Sequence, residues 1–379
     1  MENEIKKLGF GLMRLPVIDG DGENIDLEQV CKMVDLFLER GFTYFDTAWA
    51  YHNGKSEEAV REALVKRHPR ESFLLASKLP TFAISAREQV QEMFEQSLER
   101  SGAGYFDYYL LHNLNEFIYD GIVKEFGMFE AMQEWKKAGK IRHIGFSFHD
   151  NAQTLDRILT KHPEVEIVQI CINYLDWNHE TVQAKKCYDV IRKHGKQVVV
   201  MEAVKGGTLA TLPTDAEAIL KEKEATRSTV DWSLLFGASL DGVLVTLSGM
   251  SNLEQVEQNT RCLDHFRPLD RGELDALDQV AALLDSRMKV PLENVEELAH
   301  VCPKGIPVAS YIQYYNEAMQ EANVAFSSEL NYYVLLKRRT VPASACDKCG
   351  KCAGLCPKAD VPAALKEAEQ FFEKYGFFL

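Results

Sequence analysis

Two patterns predict an α/β fold, a (β/α)8 TIM barrel followed by a small, mainly helical domain that holds iron and sulfide. Short β-rich segments alternate with amphipathic helical segments from residue 5 to about residue 263, as in strand–helix units around a parallel sheet. Near the end of the 379-residue chain, four cysteines have the spacing C-x2-C-x2-C-x3-C-P. This spacing is typical of the ligand loop of a 4Fe-4S cluster.

Eight segments of the repeating part are expected to form strands, and eight such units make a barrel the economical solution. The expected strands are Leu8–Met13, Thr43–Asp46, Phe73–Lys78, Tyr108–His112, His143–Phe148, Ile167–Asn173, Val198–Ala203 and Val243–Ser248. Helical periodicity predicts helices that include Leu27–Arg40, Ser56–Arg67, Arg87–Arg100 and Ala184–His194. Several of these helices are followed by a glycine, which favours their termination.

A doubly wound parallel sheet is the alternative architecture for the same alternation. Such a sheet usually binds a dinucleotide through a G-x-G-x-x-G turn after its first strand. Here Gly9-Phe-Gly11 is followed by Arg14 where the third glycine would stand. We therefore predict a barrel domain over residues 1–288 and a second domain over residues 289–379, with the boundary near Met288–Pro291.

The cysteine motif of the second domain has a partial copy upstream. Cys302-Pro-Lys echoes Cys356-Pro-Lys, which indicates an internal duplication. The intact motif is the second copy. In the degenerate first copy, aliphatic residues occupy the other three cysteine positions and are expected to fill the volume of a lost cluster. These residues are Leu292, Val295 and Leu298.

The duplication bears on the cluster ligands, because in two-cluster ferredoxins the fourth cysteine of each motif binds the other cluster. We therefore predict a ferredoxin-like 4Fe-4S domain whose four ligands are Cys302, Cys346, Cys349 and Cys352. Cys356 is the alternative fourth ligand. A zinc site would usually draw its cysteines from two separated knuckles, so zinc is the less favoured metal.

Composition indicates which kinds of partner the protein binds and in which cellular compartment it is found. A net charge of −14 argues against nucleic acid, because binding to phosphates requires clustered lysine and arginine. The sequence has no apolar run of 18 or more residues and no cationic start followed by an apolar stretch. We expect a cytoplasmic protein with no membrane partner, in which nine cysteines serve as metal ligands and free thiols rather than disulfides.

Polar residues cluster where the predicted strands end, the side of a barrel on which active sites form. Asp46 ends the second strand, and Tyr51 lies in the loop that follows it. Lys78 ends the third strand, and His112 ends the fourth. Reduction of a carbonyl by hydride leaves an alkoxide that must be protonated, and a phenol is a poor acid unless its anion is stabilised.

The order and spacing of these residues resemble those of the aldo-keto reductases. The motifs that carry the resemblance are Asp46-Thr-Ala-x-x-Tyr51, Ser56-Glu57, Leu-Ala-Ser-Lys78, Asp107-Tyr-Tyr-Leu-Leu-His112 and Ile-Arg-His-Ile-Gly145-Phe-Ser147. The resemblance implies that Tyr51 donates the proton and that Lys78 lowers the pKa of this tyrosine. Asp46 would hold Lys78, and His112 would donate a hydrogen bond to the substrate oxygen.

The resemblance also implies a set of cofactor contacts. Ser147 and Gln169 match the residues that bind the nicotinamide carboxamide, although the asparagine that commonly follows the serine is replaced by Phe148. The aromatic residue that stacks on the nicotinamide in many members falls near Glu202, so stacking is in doubt. The pyrophosphate would lie against the loop after the seventh strand, for which a simple turn is the alternative. That loop contains Lys205, Gly206 and Gly207.

The adenosine would lie against the start of the last barrel helix, on Met250, Ser251, Gln255 and Asn259. Relatives that prefer NADP place lysine and arginine where this chain has Gly249 and Gln255. Without a bidentate cation a 2′-phosphate is bound weakly, so the choice between NADPH and NADH stays open.

The sequence therefore predicts an NAD(P)H-dependent oxidoreductase that converts an aldehyde or ketone to an alcohol and carries one 4Fe-4S cluster. The cluster is expected either to stabilise the fold or to exchange electrons with a partner protein. Two other functions fit the same features: a nicotinamide-sensing regulatory subunit, and an iron-sulfur electron-transfer protein. The complete set of Asp46, Tyr51, Lys78 and His112 favours the enzyme.

Overall fold

Eight parallel strands close into a barrel, which confirms the predicted barrel. The structure is a computed structural model, and it describes residues 5–320 and 328–375. The strands are β1 (Leu8–Gly11), β2 (Tyr44–Asp46), β3 (Leu74–Leu79), β4 (Phe106–Leu114), β5 (Ile141–Phe148), β6 (Ile167–Cys171), β7 (Gln197–Met201) and β8 (Val243–Gly249). Each strand pairs with its neighbour in sequence, and β8 pairs with β1.

Helices follow the strands in the expected alternation. In chain order they are α1 (Leu27–Glu39), α2 (Lys55–Val60), α3 (Glu88–Ser101), α4 (Glu116–Ile118), α5 (Met128–Lys137), α6 (Ala152–Lys161), α7 (Ala184–Lys193), α8 (Thr214–Lys223), α9 (Thr229–Ala238), α10 (Leu253–Asp264) and α11 (Arg271–Asp285). The predicted helix at residues 56–67 is shorter as an α-helix, because α2 continues as a wider π-helical turn over Arg61–Val65.

Helix α1 illustrates how the sequence specifies these elements. Asp26 caps its first turn by accepting a hydrogen bond from the backbone N–H of Gln29, which satisfies one of the otherwise unpaired donors. Apolar residues recur at helical spacing and form its buried face. Gly41, at φ 77°, follows the last turn in the left-handed conformation that glycine adopts without strain.

The barrel interior is filled by side chains, and its strands approach closely in places. Ile167 of β6 lies directly opposite Gly145 of β5. A Cβ atom at residue 145 would lie 2.6 Å from Ile167 Cγ1 and 2.8 Å from the Ile167 carbonyl oxygen, so only glycine fits there. The interior core is Tyr44, Ala76, Tyr108, Leu110, Ile167, Val199, Leu244, Val245 and Leu247.

The described chain divides into two compact units. The first contains the barrel strands and comprises residues 1–173, 184–203 and 230–269. The second comprises residues 174–183, 204–229 and 270–379. Residues 1–4, 321–327 and 376–379 lie outside the described part of both units. The predicted domain boundary after residue 288 stays a prediction.

The second unit is mainly helical. Beyond α8 and α11, which pack together, it contains α12 (Val295–His300), α13 (Val308–Gln320), α14 (Ser328–Arg339) and α15 (Val361–Tyr375). Helix α13 packs against α12, α14 and α15. Tyr333 of α14 stacks on Phe372 of α15 with ring centroids 3.9 Å apart, and both side chains are fully buried. Among the helices of the described residues, none combines the length and apolar character needed to cross a membrane.

Candidate active site

The ends of β2, β3 and β4 bring three of the predicted residues to one mouth of the barrel. Asp46 is the last residue of β2, Lys78 lies near the end of β3, and His112 lies near the end of β4. Neighbouring strands are parallel and in register, so these ends meet at the same edge. Tyr51 opens a short 3₁₀ turn five residues beyond β2.

The structure brings these four predicted residues together: Asp46 and Tyr51 contact the ammonium group of Lys78, and His112 contacts Tyr51. Lys78 Nζ donates hydrogen bonds to Asp46 Oδ1 at 2.5 Å and to the Thr47 carbonyl oxygen at 2.8 Å. The third contact is with the Tyr51 hydroxyl oxygen at 3.2 Å. The His112 ring stands edge-on to the Tyr51 ring, with centroids 5.7 Å apart.

Buried polar contacts outside this cluster hold its backbone in place. The Thr47 and Ser56 hydroxyl oxygens lie 2.8 Å apart and share a hydrogen bond. Ser77, the residue before Lys78, donates a hydrogen bond to the buried Glu57 carboxylate at 2.7 Å. The Ser56-Glu57 pair of the sequence motif therefore binds the residues next to Asp46 and Lys78 and stabilises their positions.

Burial and charge set the protonation states. Burial disfavours the charged form of Lys78, but the adjacent Asp46 carboxylate outweighs it and raises the pKa of Lys78 above its ordinary value. Burial raises the pKa of Tyr51, and Lys78 opposes this effect only in part. Lys78 therefore lowers the pKa of Tyr51 as predicted, but burial has the larger effect, and the pKa of Tyr51 in the protein without cofactor lies above its ordinary value. Burial, aided by the charge of Lys78, holds the pKa of His112 well below its ordinary value, so its imidazole is neutral.

A buried lysine between a carboxylate and a phenol, beside a neutral histidine at a barrel mouth, is suited to proton transfer to a developing alkoxide. A model of the aldo/keto reductase family matches residues 7–282, which is most of the chain. The chain belongs to the aldo/keto reductase family. The predicted enzyme class, an aldo-keto reductase, is confirmed.

Curated relatives agree with this assignment. An aldo-keto reductase of Mycolicibacterium vanbaalenii is 30% identical over 275 residues, which cover 70% of this chain and 89% of the relative. The uncharacterized oxidoreductase YqkF of Bacillus subtilis is 24% identical, with 72% of this chain and 92% of the relative covered. L-Galactose dehydrogenase of Arabidopsis thaliana is 24% identical over 77% of this chain and 93% of the relative.

Solved structures of aldo-keto reductases share the barrel. The holo form of AKR11C1 from Bacillus halodurans superimposes with a TM-score of 0.59 at 25% identity, covering 73% of this chain and 92% of that one. An aldo-keto reductase from Klebsiella pneumoniae, solved in complex with NADPH, has a TM-score of 0.59 at 23% identity, with 73% and 91% covered.

The two aldo-keto reductase residues predicted to bind the nicotinamide carboxamide lie side by side. Ser147 of β5 and Gln169 of β6 are register partners, and both are buried. The Ser147 hydroxyl accepts a hydrogen bond from the Asn113 backbone N–H at 2.8 Å. The Gln169 amide lies close enough to the Asp46 carboxylate to favour its ionised form. Among the described residues, however, Asp46 Oδ2 has no hydrogen-bond partner of good geometry.

The predicted adenosine segment divides into buried and exposed positions. The Met250 side chain is fully buried, and Asn259 donates its amide to the Ser248 hydroxyl at 2.9 Å. Ser251 and Gln255 are exposed, and the Gln255 side chain accepts the Ser251 backbone N–H at 2.7 Å. The exposed pair is accessible to a cofactor in this structure, and contact of all four residues with the adenosine stays a prediction.

The predicted pyrophosphate loop belongs to the second unit. Gly206 and Gly207 have φ values of 62° and 103°, a left-handed pair of the kind that glycine permits. Lys205 is only 2% exposed, and its Nζ bonds Asp176 Oδ2 at 2.7 Å and Glu329 Oε1 at 2.8 Å. Its ammonium group therefore neutralises carboxylates of its own unit, which sequence reasoning did not foresee. Phosphate binding by the loop amides stays a prediction.

An ion pair lies where many aldo-keto reductases carry a stacking aromatic. Glu202 follows β7 at a positive φ of 57°, and its Oε1 lies 4.0 Å from the Arg14 guanidinium. Its charge also raises the pKa of Tyr51, so it lies close enough to the phenol to interact with it. Whether the nicotinamide ring has a stacking partner at this position stays open.

Four cysteines of the second unit line one pocket, together with apolar side chains that include Ile306 and Leu365. These cysteines are Cys302, Cys346, Cys349 and Cys352. Cys356 is not among the lining residues: its Sγ donates to the Glu293 carbonyl at 3.2 Å and accepts from the Glu293 N–H at 3.4 Å. Burial raises the pKa of Cys352, and the neighbouring cysteines raise it further.

Within residues 5–320 and 328–375, no three histidine, cysteine, aspartate or glutamate side chains form a group suited to a metal ion. Of the three aliphatic residues expected to fill the volume of a lost first cluster, Leu298 is fully buried and Leu292 is partly buried. Val295 is 38% exposed at the start of α12, so the expectation is wrong for this residue.

Sequence reasoning missed several polar groups near the tetrad. The Thr47 carbonyl oxygen completes the coordination of the Lys78 ammonium. His149 is close enough to His112 to lower its pKa, and burial lowers the pKa of His149 itself to about 4. Asn113, at φ 60°, directly follows His112. The sequence signal for the last two was only their position after predicted strands.

Proposed function

We propose that this chain reduces an aldehyde or ketone to the alcohol, with Tyr51 as the general acid and NADPH or NADH as the hydride donor. The observation that carries the proposal is the 3.2 Å contact between Lys78 Nζ and the Tyr51 hydroxyl, with Asp46 on the other side of the lysine. When bound, the cofactor supplies hydride to the carbonyl carbon. The carbonyl oxygen then gains negative charge and takes the phenolic proton.

Each residue of the tetrad contributes to that proton transfer. The ammonium of Lys78 stabilises the tyrosinate that remains, because a positive charge within hydrogen-bond distance favours the anion. Asp46 keeps the buried lysine charged and fixes its direction. Neutral His112 donates one ring N–H to the substrate oxygen without adding a second cation beside Lys78.

Cofactor binding is supported by the paired Ser147 and Gln169 and by a homologous structure solved with NADPH. The chain offers no lysine or arginine at residues 249 and 255, so the preference between NADPH and NADH stays open. The substrate is a small carbonyl compound that reaches Tyr51 at the barrel mouth.

The test is anaerobic oxidation of NADPH and NADH against a panel of aldehydes and ketones, with wild type, Tyr51→Phe and Tyr188→Phe. Tyr188 is the matched control, because its hydroxyl donates to the Asp241 carbonyl oxygen outside the tetrad. We expect Tyr51→Phe to lose turnover by about 10²- to 10⁴-fold with unchanged cofactor affinity. Equal turnover by Tyr51→Phe and Tyr188→Phe would exclude Tyr51 as the acid. Tight cofactor binding without turnover in the wild type would favour a nicotinamide-sensing subunit.

The second part of the proposal is a 4Fe-4S cluster held by Cys302, Cys346, Cys349 and Cys352 in a domain of residues 289–379, after a barrel domain of residues 1–288. Its support is the pocket that these four thiols share with apolar side chains. Four cysteine thiolates are the ligand set of a cubane cluster, and these four would hold it among the apolar side chains of the pocket. Cys356, which bonds the Glu293 backbone, is the alternative ligand.

Iron and sulfide analysis of Cys302→Ala and Cys356→Ala, after reconstitution without oxygen, tests the ligand set. We expect Cys302→Ala to lose cluster content and Cys356→Ala to keep it. The reverse result would make Cys356 the ligand. Absence of iron and sulfide from the wild type would overturn the cluster itself.

Cys349 is solvent-exposed, which favours electron exchange with a partner protein over a purely structural cluster. The cluster supplies one electron at a time. Reversible one-electron reduction of the wild type, in an anaerobic redox titration, would support an electron-transfer partner. A cluster that cannot be reduced without unfolding would support the structural role.

A further inference from the structure

Asn113 presents a buried amide oxygen at the barrel mouth. Its Oδ1 atom is shielded from solvent and has no hydrogen-bond partner among the described residues. An unpaired buried acceptor is unfavourable, because it has lost its hydrogen bonds to water and gained none in return. The residue also adopts a left-handed backbone with φ of 60°, a conformation that asparagine tolerates. The unpaired oxygen is the feature that requires an explanation, and a ligand with a hydrogen-bond donor provides one.

Two neighbouring groups complete a hydrogen-bonding set on three successive strands, β4, β5 and β6. The Asn113 backbone N–H donates to the Ser147 hydroxyl, so Ser147 accepts there and keeps its own O–H to donate. Gln169 Oε1 is a second buried acceptor for which the described residues provide no partner. The Gln169 amide nitrogen is the group suited to face the Asp46 carboxylate, which leaves Oε1 for the site.

We infer that Asn113 binds the carboxamide of the nicotinamide ring, together with Ser147 and Gln169. This inference rests on the proposed use of a nicotinamide cofactor. A primary carboxamide has two N–H donors and one carbonyl acceptor. The Oδ1 of Asn113 and the Oε1 of Gln169 accept the two N–H groups, and the Ser147 hydroxyl donates to the carbonyl oxygen.

Three protein groups thus match the three hydrogen-bonding groups of the carboxamide. This arrangement also accounts for the apolar residue that follows Ser147. Phe148 follows Ser147, is 1% exposed, and has no polar side-chain atom to offer the carboxamide. Asn113 supplies the missing polar group from the adjoining strand. By fixing the carboxamide, Asn113 fixes which face of the ring points toward the Tyr51 hydroxyl; it is thus a positioning residue for hydride transfer.

The test uses Asn113→Gly and Asn113→Asp in the full-length protein. Glycine adopts the left-handed backbone without strain but removes the acceptor, whereas aspartate tolerates that backbone and keeps an acceptor oxygen. Dissociation constants are measured by fluorescence for the reduced cofactor that the wild type binds and for its reduced 3-acetylpyridine analogue. The acetyl group keeps the carbonyl acceptor and lacks both N–H donors.

We expect Asn113→Gly to weaken binding of the natural cofactor by about 3- to 10-fold, the value of one hydrogen bond, and to change binding of the analogue by less than about twofold. Asn113→Asp is expected to retain affinity for the natural cofactor. Equal weakening of both cofactors by Asn113→Gly, or no weakening of either, would overturn the inference while leaving the proposed function intact. A wild type that binds neither NADPH nor NADH would overturn both.

Discussion

Two lysines of this chain have nearly the same burial and contrasting surroundings. Lys78 is 1% exposed and Lys205 is 2% exposed, and each ammonium group bonds at least one carboxylate. Lys78 meets one carboxylate, a backbone carbonyl and the Tyr51 hydroxyl. Lys205 meets two carboxylates, those of Asp176 and Glu329.

The comparison shows that burial and a carboxylate partner do not by themselves identify a catalytic lysine. Lys78 also contacts a phenol, a group whose protonation state can change. The ammonium group of Lys205 contacts carboxylates that are themselves buried, which favours a role in stability.

Replacing Lys78 by methionine should have the largest effect. We expect Lys78→Met to lower turnover by about 10²- to 10⁴-fold, because the tyrosinate loses its stabilising charge. Steady-state kinetics at saturating cofactor measure the loss, with Lys185→Met as the control at an exposed i,i+4 pair. Turnover comparable to that of Lys185→Met would show that the contact with Tyr51 is not used.

The same substitution at Lys205 should act on stability instead. Lys205→Met leaves two buried carboxylates uncompensated, so the free energy of unfolding should fall by about 3–5 kcal/mol. Urea unfolding followed by circular dichroism measures this change. Turnover per folded molecule should stay near that of wild type. A stable Lys205→Met protein with weakened cofactor binding would instead place this lysine at the pyrophosphate.

A smaller effect on stability is expected at a histidine. Two partly buried histidines of this chain have pKa values that their charged neighbours shift in opposite directions. Lys78 and burial keep His112 neutral, whereas Asp285 and Glu317 overcome burial and raise the pKa of His179 to about 11. A raised pKa means that the folded protein holds a proton that the unfolded chain releases near pH 6.5. This contribution to stability is therefore full below about pH 6.5 and is lost as the pH rises toward 11. Urea midpoints at pH 6, 8 and 10 should converge for wild type and His179→Gln; a constant difference would contradict the shift.

The sequence allowed the strands and the tetrad to be predicted because both depend on local patterns. Asp46 ends its strand and Lys78 and His112 lie near the ends of theirs, and the approximate position of a strand end follows from alternation and turn residues along the chain. The partners of Lys205 could not be found in this way, because Asp176 and Glu329 lie in distant segments that only the folded chain brings together.

The unpaired amide oxygen of Asn113 could not be predicted either, because it too depends on contacts that exist only in the folded chain. The identity and position of Asn113 are visible beside His112, but an unpartnered oxygen is a property of the folded surroundings. The direction of the overall pKa shift of Tyr51 could not be predicted from the sequence either. A neighbouring lysine can be predicted from spacing, whereas the cost of desolvating the phenolate depends on burial that spacing does not give.

Strand β8 has a consequence for synthesis of the chain. It pairs with β7 on one side and with β1 on the other, from Leu8 opposite Thr246 to Gly11 opposite Gly249. Until Val243–Gly249 leaves the ribosome, β1 and β7 each present an unpaired edge that another chain can join. Pairing of β8 with both neighbours removes these two edges in one step, so closure of the barrel is also the step that protects the chain from joining another.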